Sequence, residues 1–412
     1  AIDANKLSYR IFSILETKFL FGYDAPPKPR KSLAPPPPEY AADRRSGRRV
    51  CVLSVDSGGM RNITSGKALA YLERSLKAKS GNSEARIADY FDVAAGSGVG
   101  GVFAAMLFAA GGGPVYAADD TWKFLAAHGK EFCAAPTKRG FLKRAFEKST
   151  GGGGGVSLEK ALKEAFTDGR TGRTLTLKNA VKPLLIPCYD LSTAAPFLFS
   201  RADAMESDSY DFRLWEVCLA TSADAGVFAP VGMKSIDGQT QCTAVGGGIA
   251  MSNPTAAAIT HVLHNKQDFP QARHVDDILV LSLGAGCQLT EGSFDRRQVK
   301  KWNTAKDWSR PIARISGDAS AELVDHAAAM AFAHGGRSTN YVRIQASGSS
   351  SPDRDTDWSA GNVKTLTEAG DEMLKQKSVE AVMLGGRRIG EKTNAELLDW
   401  FAEELVAEHR RR

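Results

Sequence analysis

The sequence lacks the short spacings that mark metal and redox sites. Its seven histidines form no HExxH pair, and its six cysteines, at 51, 133, 188, 218, 242 and 287, form no CxxC. Two ligands on one helix turn or one tight loop require such spacings, so no metal or cofactor is expected. Several cysteines sit inside apolar runs and read as reduced, buried thiols of a reducing compartment. Also missing is any window of roughly 18 uninterrupted apolar residues, the length of a membrane span. The longest apolar stretches, such as Val102–Ala110, run straight into glycine and proline. Residues 1–20 include Asp3 and Glu16 and lack the apolar core of a secretion signal, so none is expected. No internal repeat is present.

What is present is an ordinary soluble composition: 412 residues, 43% hydrophobic and 24% charged. That length supports one large domain with extensions. The net charge of +6 gathers in Lys28–Lys31, Arg44–Arg49 and Arg410–Arg412. Such runs are either solvated tails or seekers of an anionic surface. Residues 1–24 read as an N-terminal helix. Leu7, Ile11, Ile14, Leu15 and Leu20 mark one face over residues 4–22, which either docks on the domain or lies on a membrane surface. Residues 25–49 form a proline-rich, then basic, linker with four consecutive prolines ending at Pro38. The main domain is placed at 50–348. Residues 349–412 read as a surface loop followed by C-terminal helices packed on that domain, the last helix over about 394–409.

Within the main domain, strands alternate with helices. Apolar runs at Val50–Val55, Tyr90–Ala95, Leu184–Tyr189, Ala195–Ser200, Asp277–Leu283 and Asn340–Gln345 fit strands, and a helix is expected around Ser65–Lys79. This order implies an α/β fold with helices on both faces of the sheet. Gly151–Gly155 reads as an exposed loop.

Three glycine blocks carry the chemistry. The first, Ser54-Val-Asp-Ser-Gly-Gly-Met-Arg-Asn62, leaves a buried strand and enters a helix, so its backbone N–H groups can hold an oxyanion or a phosphate. The second runs from Tyr90 to Leu107 and contains Gly96-Ser-Gly-Val-Gly-Gly101 between a strand and an apolar helix. That is the setting of a nucleophile elbow, GxSxG, with Gly98 at the nucleophile position. Gly96, Gly98 and Gly101 also satisfy G-x-G-x-x-G, but no acidic residue closes a strand about 20 residues on, as a dinucleotide site needs. The third, Cys242 to Thr255, places Gly246-Gly-Gly248 after a strand and Asn253-Pro254 before a helix.

Taken in order, the blocks resemble those of the patatin-like phospholipases. Asp56 to Asn62 resembles that family's Asp-Gly-Gly-Gly-x-Arg-Gly oxyanion block, Gly96 to Gly100 its elbow, and Gly246 to Pro254 its Asp-Gly-Gly/Ala block. Ala220-Thr-Ser-Ala223 resembles a segment that precedes the last of these. The elbow Gly96-x-Gly98-x-Gly100 resembles that of the plant patatin-related group with GxGxG in place of GxSxG. The resemblance implies a three-layer α/β/α hydrolase fold with a mostly parallel sheet. It implies lipid acyl hydrolysis of membrane glycerolipids, phospholipids and galactolipids, with no nucleic-acid partner. It also implies lipid contact, for which residues 4–22 and the basic segments are the candidates in peripheral membrane contact; the reduced thiols and the missing secretion signal point to a cytoplasmic protein. Gly58, Gly59 and Arg61 take the oxyanion-frame positions, and Gly96 and Gly100 flank the elbow. The family's serine–aspartate dyad falls on Gly98 and Gly246, which have neither hydroxyl nor carboxylate. The expected site is therefore weak. The alternative is a catalytically inactive lipid-binding or regulatory protein. Ser97 is the nearest hydroxyl, though one residue before the elbow apex its side chain should point elsewhere. Ser57 and Asp237 are the remaining substitutes for nucleophile and base, and His261 and His264 share one helix face.

Overall fold

The computed structural model describes residues 47–111, 116–133, 158–225, 227–285, 299–300, 302–334, 336, 338–346, 356–383 and 386–412. The helix expected over 4–22, most of the 25–49 linker, Gly151–Gly155 and residues 349–355 of the surface loop lie outside the described residues. Arg48–Arg412 forms one compact unit.

Six consecutive buried residues, Val50–Val55, form strand β1. Helix α1 (Asn62–Ser80) follows, then β2 (Val93–Gly96), α2 (Val99–Phe108) and α3 (Ala118–Cys133). Next come β3 (Leu184–Asp190), β4 (Ala195–Ser200), α4 (Leu214–Ser222), β5 (Val231–Lys234), β6 (Gln241–Val245), α5 (Thr255–His264) and β7 (Ile278–Leu283). The chain ends with α6 (Ala305–His334), β8 (Tyr341–Ile344), α7 (Ala360–Lys375), β9 (Lys377–Met383), β10 (Gly386–Thr393) and α8 (Asn394–Arg410). The main sheet runs β5-β6-β3-β2-β1-β7-β8, with β4 beside β3. Pairs among β3, β2, β1, β7 and β8 are parallel; β4, β5 and β6 join antiparallel. The result is a mixed, mostly parallel sheet between helical layers.

β1 is apolar throughout because it is covered on both faces. Cys51, Leu53 and Val55 join one core with Leu69 of α1, Phe103 of α2, Met373 of α7 and Phe401 of α8. Val50 and Val52 join a second core with Val262 of α5 and Phe332 of α6. From β1 the chain builds one way through β2 and β3, and later the other way through β7 and β8. The carboxyl end of β1 is thus a switch point, where open α/β sheets leave a crevice.

Some boundaries differ from the sequence reading. The first helix starts at Asn62, three residues early. Tyr90 belongs to a helical turn, Ile87–Tyr90, and β2 starts only at Val93.

The described arginines at the ends of the basic segments make ion pairs. Arg48 pairs with Asp92, and Arg49 with Glu404 and Glu408. Arg411 pairs with Glu408 at 2.7 Å and Arg412 with Asp92 at 3.0 Å. These four arginines are thus each paired with an acidic side chain of the fold. Glu408 is fully buried between Arg49 and Arg411. Removing one member of a buried pair strands the other charge, so Glu408→Ala is expected to lower stability by about 3 kcal/mol. A shift of the urea midpoint at constant slope checks it.

Candidate active site

The turn after β1 is locked at both ends. Asp56 N–H donates to Leu283 O at 2.9 Å and Ser57 N–H donates to Ser252 O at 2.9 Å. Asn62 Nδ2 donates back to Asp56 O at 2.9 Å. Gly58 then packs so tightly on the segment just after β7 that a Cβ there would lie 2.0 Å from Ala285 Cβ. Gly59 takes φ 55° and opens the short 3₁₀ turn Gly59–Arg61 that leads into α1. Backbone N–H groups at such a helix entrance favour negative charge. Among the described residues Ala194 is the only non-glycine with positive φ, so Ser57 and Asn62 fill glycine positions of the family block without backbone strain.

Beneath this turn lies a buried polar chain. Asp56 receives both ends of the Arg343 guanidinium, Nη1 to Oδ1 at 3.1 Å and Nη2 to Oδ2 at 2.5 Å. Arg343 Nη1 also donates to Ser282 Oγ at 2.7 Å. Thr255 Oγ1 joins Ser282 Oγ at 3.0 Å and donates to Ser54 Oγ at 2.8 Å. Burial pushes the Asp56 carboxyl above the usual carboxylate range, and Arg343 opposes the rise. Burial works against the Arg343 charge too, but Asp56 and Asp325 outweigh it and raise its pKa. Sequence reasoning missed Arg343. Its signal was a lone arginine inside the apolar strand Asn340–Gln345. Arg61 is buried, with Nη2 3.9 Å from Asp318 Oδ1 on α6.

The second block turns sharply between β2 and α2. Gly98 has φ 55° and ψ −130°, a conformation costly for any residue with a side chain. Its N–H donates to Thr221 Oγ1 at 3.0 Å, and Thr221 donates to Pro187 O at 2.7 Å. Thr221, in the segment singled out at Ala220–Ala223, therefore pins the turn. A Cβ on Gly96 would meet Gly100 O at 2.2 Å, and one on Gly100 would meet Val55 O and Asp56 O at 2.5 Å. Both glycines are fixed by close backbone approach. Ser97 is fully buried, and its Oγ has no hydrogen-bond partner among the described residues. It packs beside Gly247.

The third block follows β6. Gly246 N–H donates to Ala223 O at 2.7 Å, and Gly247–Ala250 makes one helical turn. A Cβ on Gly246 would lie 3.0 Å from Asp224 Oδ1. A Cβ on Gly248 would lie 2.9 Å from Ser57 Oγ, and one on Gly98 would lie 2.5 Å from that same hydroxyl. Gly98 and Gly246 are thus each bordered by a side chain from a neighbouring loop. Asp224 escaped the sequence reading, although it follows the Ala220–Ala223 segment directly.

Other candidates stand apart. Asp237 sits in the turn before β6, at the strand end remote from Gly246, where it binds Ser209 Oγ at 2.6 Å and Ser235 Oγ at 2.7 Å. His261, on α5, packs against Phe269, and burial lowers its pKa.

Ser57, Gly58, Gly59, Arg61, Asp224 and Gly248 line one cavity of about 140 Å³ under α6. A larger cavity of about 540 Å³, lined by Met330, Tyr341, Leu397 and Trp400 among others, shares Arg343 with the region behind Asp56 but includes none of the glycine blocks. Among the described residues no group of three or more His, Cys, Asp or Glu could hold a metal. The small cavity thus brings Ser57, Gly58 and Gly59 of the first block together with Gly248 of the third and with Asp224.

Residues 53–259, which span all three blocks, match the family model described as patatin-like phospholipase. Patatin-like protein 7 of Arabidopsis thaliana is 57% identical, over 100% of this chain and 83% of its own length. Patatin-like protein 6 of the same plant is 56% identical, over 100% and 86%. Its Probable inactive patatin-like protein 9 is 38% identical, over 98% and 94%. The chain belongs to the patatin-like phospholipase family.

Proposed function

We propose that this protein is a lipid acyl hydrolase that acts on the ester bonds of membrane glycerolipids, phospholipids and galactolipids, through a weak site without the family's dyad. The observation that carries the reading is the elbow. Gly98 holds φ 55° and ψ −130° beside the oxyanion turn Gly58–Gly59, with the backbone contacts of Gly96 and Gly100 around it. An oxyanion hole and binding alone leave roughly 10³–10⁴-fold catalysis over water in dyad-free or triad-free sites. Among the described residues no helix is long and apolar enough to cross a membrane. Access to bilayer lipid is proposed to come from peripheral contact by a cytoplasmic protein, with residues 4–22 as the sequence-based candidate.

A second reading, a lipid-binding or regulatory protein that kept the pocket, is favoured by glycine at both dyad positions, Gly98 and Gly246. The name of the 38% identical relative, Probable inactive patatin-like protein 9, points the same way.

Fatty-acid release from phosphatidylcholine and from monogalactosyldiacylglycerol separates the two. Wild type should exceed the buffer blank. Gly58→Ala should cut release about 100-fold, because the added Cβ overlaps Ala285 and shifts donors that are worth about 10²–10³ in rate. Release equal to the blank, with retained binding to vesicles of the same lipids, would leave only the binding protein.

A further inference from the structure

We propose that Ser57 is the nucleophile of this site and Asp224 its general base, a dyad carried by the loops opposite Gly98 and Gly246. The inference rests on the acyl hydrolase reading and supplies the groups that reading lacks. Its basis is an exchange of volume. The Ser57 hydroxyl lies 2.5 Å from where a Cβ of Gly98 would begin and 2.9 Å from that of Gly248. In the resembled Asp-Gly-Gly-Gly block the residue after Asp has no side chain and the elbow carries the hydroxyl. Here that residue is Ser57, and the elbow residue is Gly98. The hydroxyl has crossed the gap and points into the same space. Asp224 repeats the exchange, since its Oδ1 lies 3.0 Å from the Cβ position of Gly246.

Three further observations fit. Ser57 and Asp224 line one cavity together with Gly58 and Gly59, whereas Ser97 does not. Ser57 is half-buried and Asp224 exposed, so substrate and water reach both. Ser54, Ser65 and Ser282 are each engaged by a hydrogen bond from or to the fold, while the Ser57 hydroxyl has none among the described residues. Ser57 borders Gly248 and Asp224 borders Gly246, so both groups sit against the third block. The base then acts across the cavity they share, through water.

The chemistry closes. Ser57 Oγ bonds to the ester carbonyl carbon while the Asp224 carboxylate takes its proton, and the carbonyl oxygen gathers charge against the Gly58 and Gly59 N–H groups. The ester C–O bond breaks and the lysolipid alkoxide leaves with the proton from Asp224. Water then attacks the acyl-Ser57 ester, Asp224 again taking a proton, and the fatty acid departs as Ser57 recovers its hydrogen.

The test combines a fluorophosphonate probe on the full chain with hydrolysis of p-nitrophenyl butyrate and of phosphatidylcholine. The expected result is one adduct on the peptide bearing Ser57. Ser57→Ala should show no adduct and a loss of at least about 100-fold in kcat/KM at an unchanged melting temperature. Asp224→Asn should label more slowly and lose the acid limb of the pH–rate profile. An adduct elsewhere, no adduct on wild type, or full ester turnover in Ser57→Ala overturns the dyad. Lipid release with an adduct elsewhere rejects the dyad and keeps the lipid reading. An adduct on Ser57 without lipid release keeps the dyad and rejects the lipid reading.

Discussion

Replacing Arg343 by methionine is expected to lower the unfolding free energy by about 3–5 kcal/mol, because it leaves a buried carboxylate without its partner. Arg343 and Asp56 are both nearly inaccessible, at 8% and 4% side-chain exposure. Two parallel bonds join them, and Ser282 takes a third from the same guanidinium. Burial already pushes the Asp56 carboxyl upward, and Arg343 is the main group pulling it down. Without Arg343 the carboxyl rises further. Its penalty is then an ionisation penalty, with a definite sign. The folded variant takes up a proton at a higher pH than the unfolded chain does, so the gap between variant and parent should narrow as pH falls from 7. Asp56→Asn combined with Arg343→Met removes both charges and should cost clearly less than the two single changes summed. Urea denaturation of the four proteins at two pH values measures all of this. A cost near 1 kcal/mol or below, independent of pH, would show that the pair does not anchor the turn after β1.

How far the sequence carried can be seen at particular residues. The strands that hold the blocks were legible because β1 and β7 are covered on both faces and so read as unbroken apolar runs. At the sheet margin β5 was not: it spans only four positions, of which Met233 alone is buried. The β9–β10 hairpin carries Lys377, Glu380, Arg387, Arg388, Glu391 and Lys392 within its strands, so its hydrophobic period is weak. Helix α6 contains Pro311, normally a stop signal. At the site, the glycines were readable as close backbone approaches. Which side chains fill the space they leave was not readable. Ser57 and Gly98 are 41 positions apart in the numbering, and their exchange of volume exists only because β1 and β2 are adjacent and in register, Val55 beside Gly96. Asp224 meets Gly246 for a similar reason, through the bond from Gly246 N–H to Ala223 O. Motif spacing encodes neither meeting.

Moving both groups back across the gap is expected to raise ester turnover at least about 100-fold over wild type, within the range that positioned nucleophiles and bases contribute. The variant is Ser57→Gly, Gly98→Ser, Asp224→Ala and Gly246→Asp together. Gly98 already makes the sharp turn between β2 and α2, with φ 55° and ψ −130°, so a serine there is expected to need no backbone rearrangement. A Cβ there is opposed by Ser57 Oγ at 2.5 Å and Ser57 Cβ at 3.2 Å; once Ser57 is glycine, only its Cα at 3.6 Å remains, an ordinary contact. At Gly246 the nearest opposing atom is Asp224 Oδ1, followed by Ala223 O at 3.1 Å, which asks for a shift of a few tenths of an ångström. The positive φ at position 98 costs a side chain about 1–3 kcal/mol, so the faster variant should also be less stable by about that amount. Gly98→Ser with Gly246→Asp alone should do worse than the fourfold change, since it sets hydroxyl against hydroxyl and carboxylate against carboxylate. The order of kcat/KM for phosphatidylcholine, fourfold above twofold, is the measurement. A twofold variant that equals or exceeds the fourfold one would mean that Ser57 and Asp224 do not occupy the space of the missing dyad.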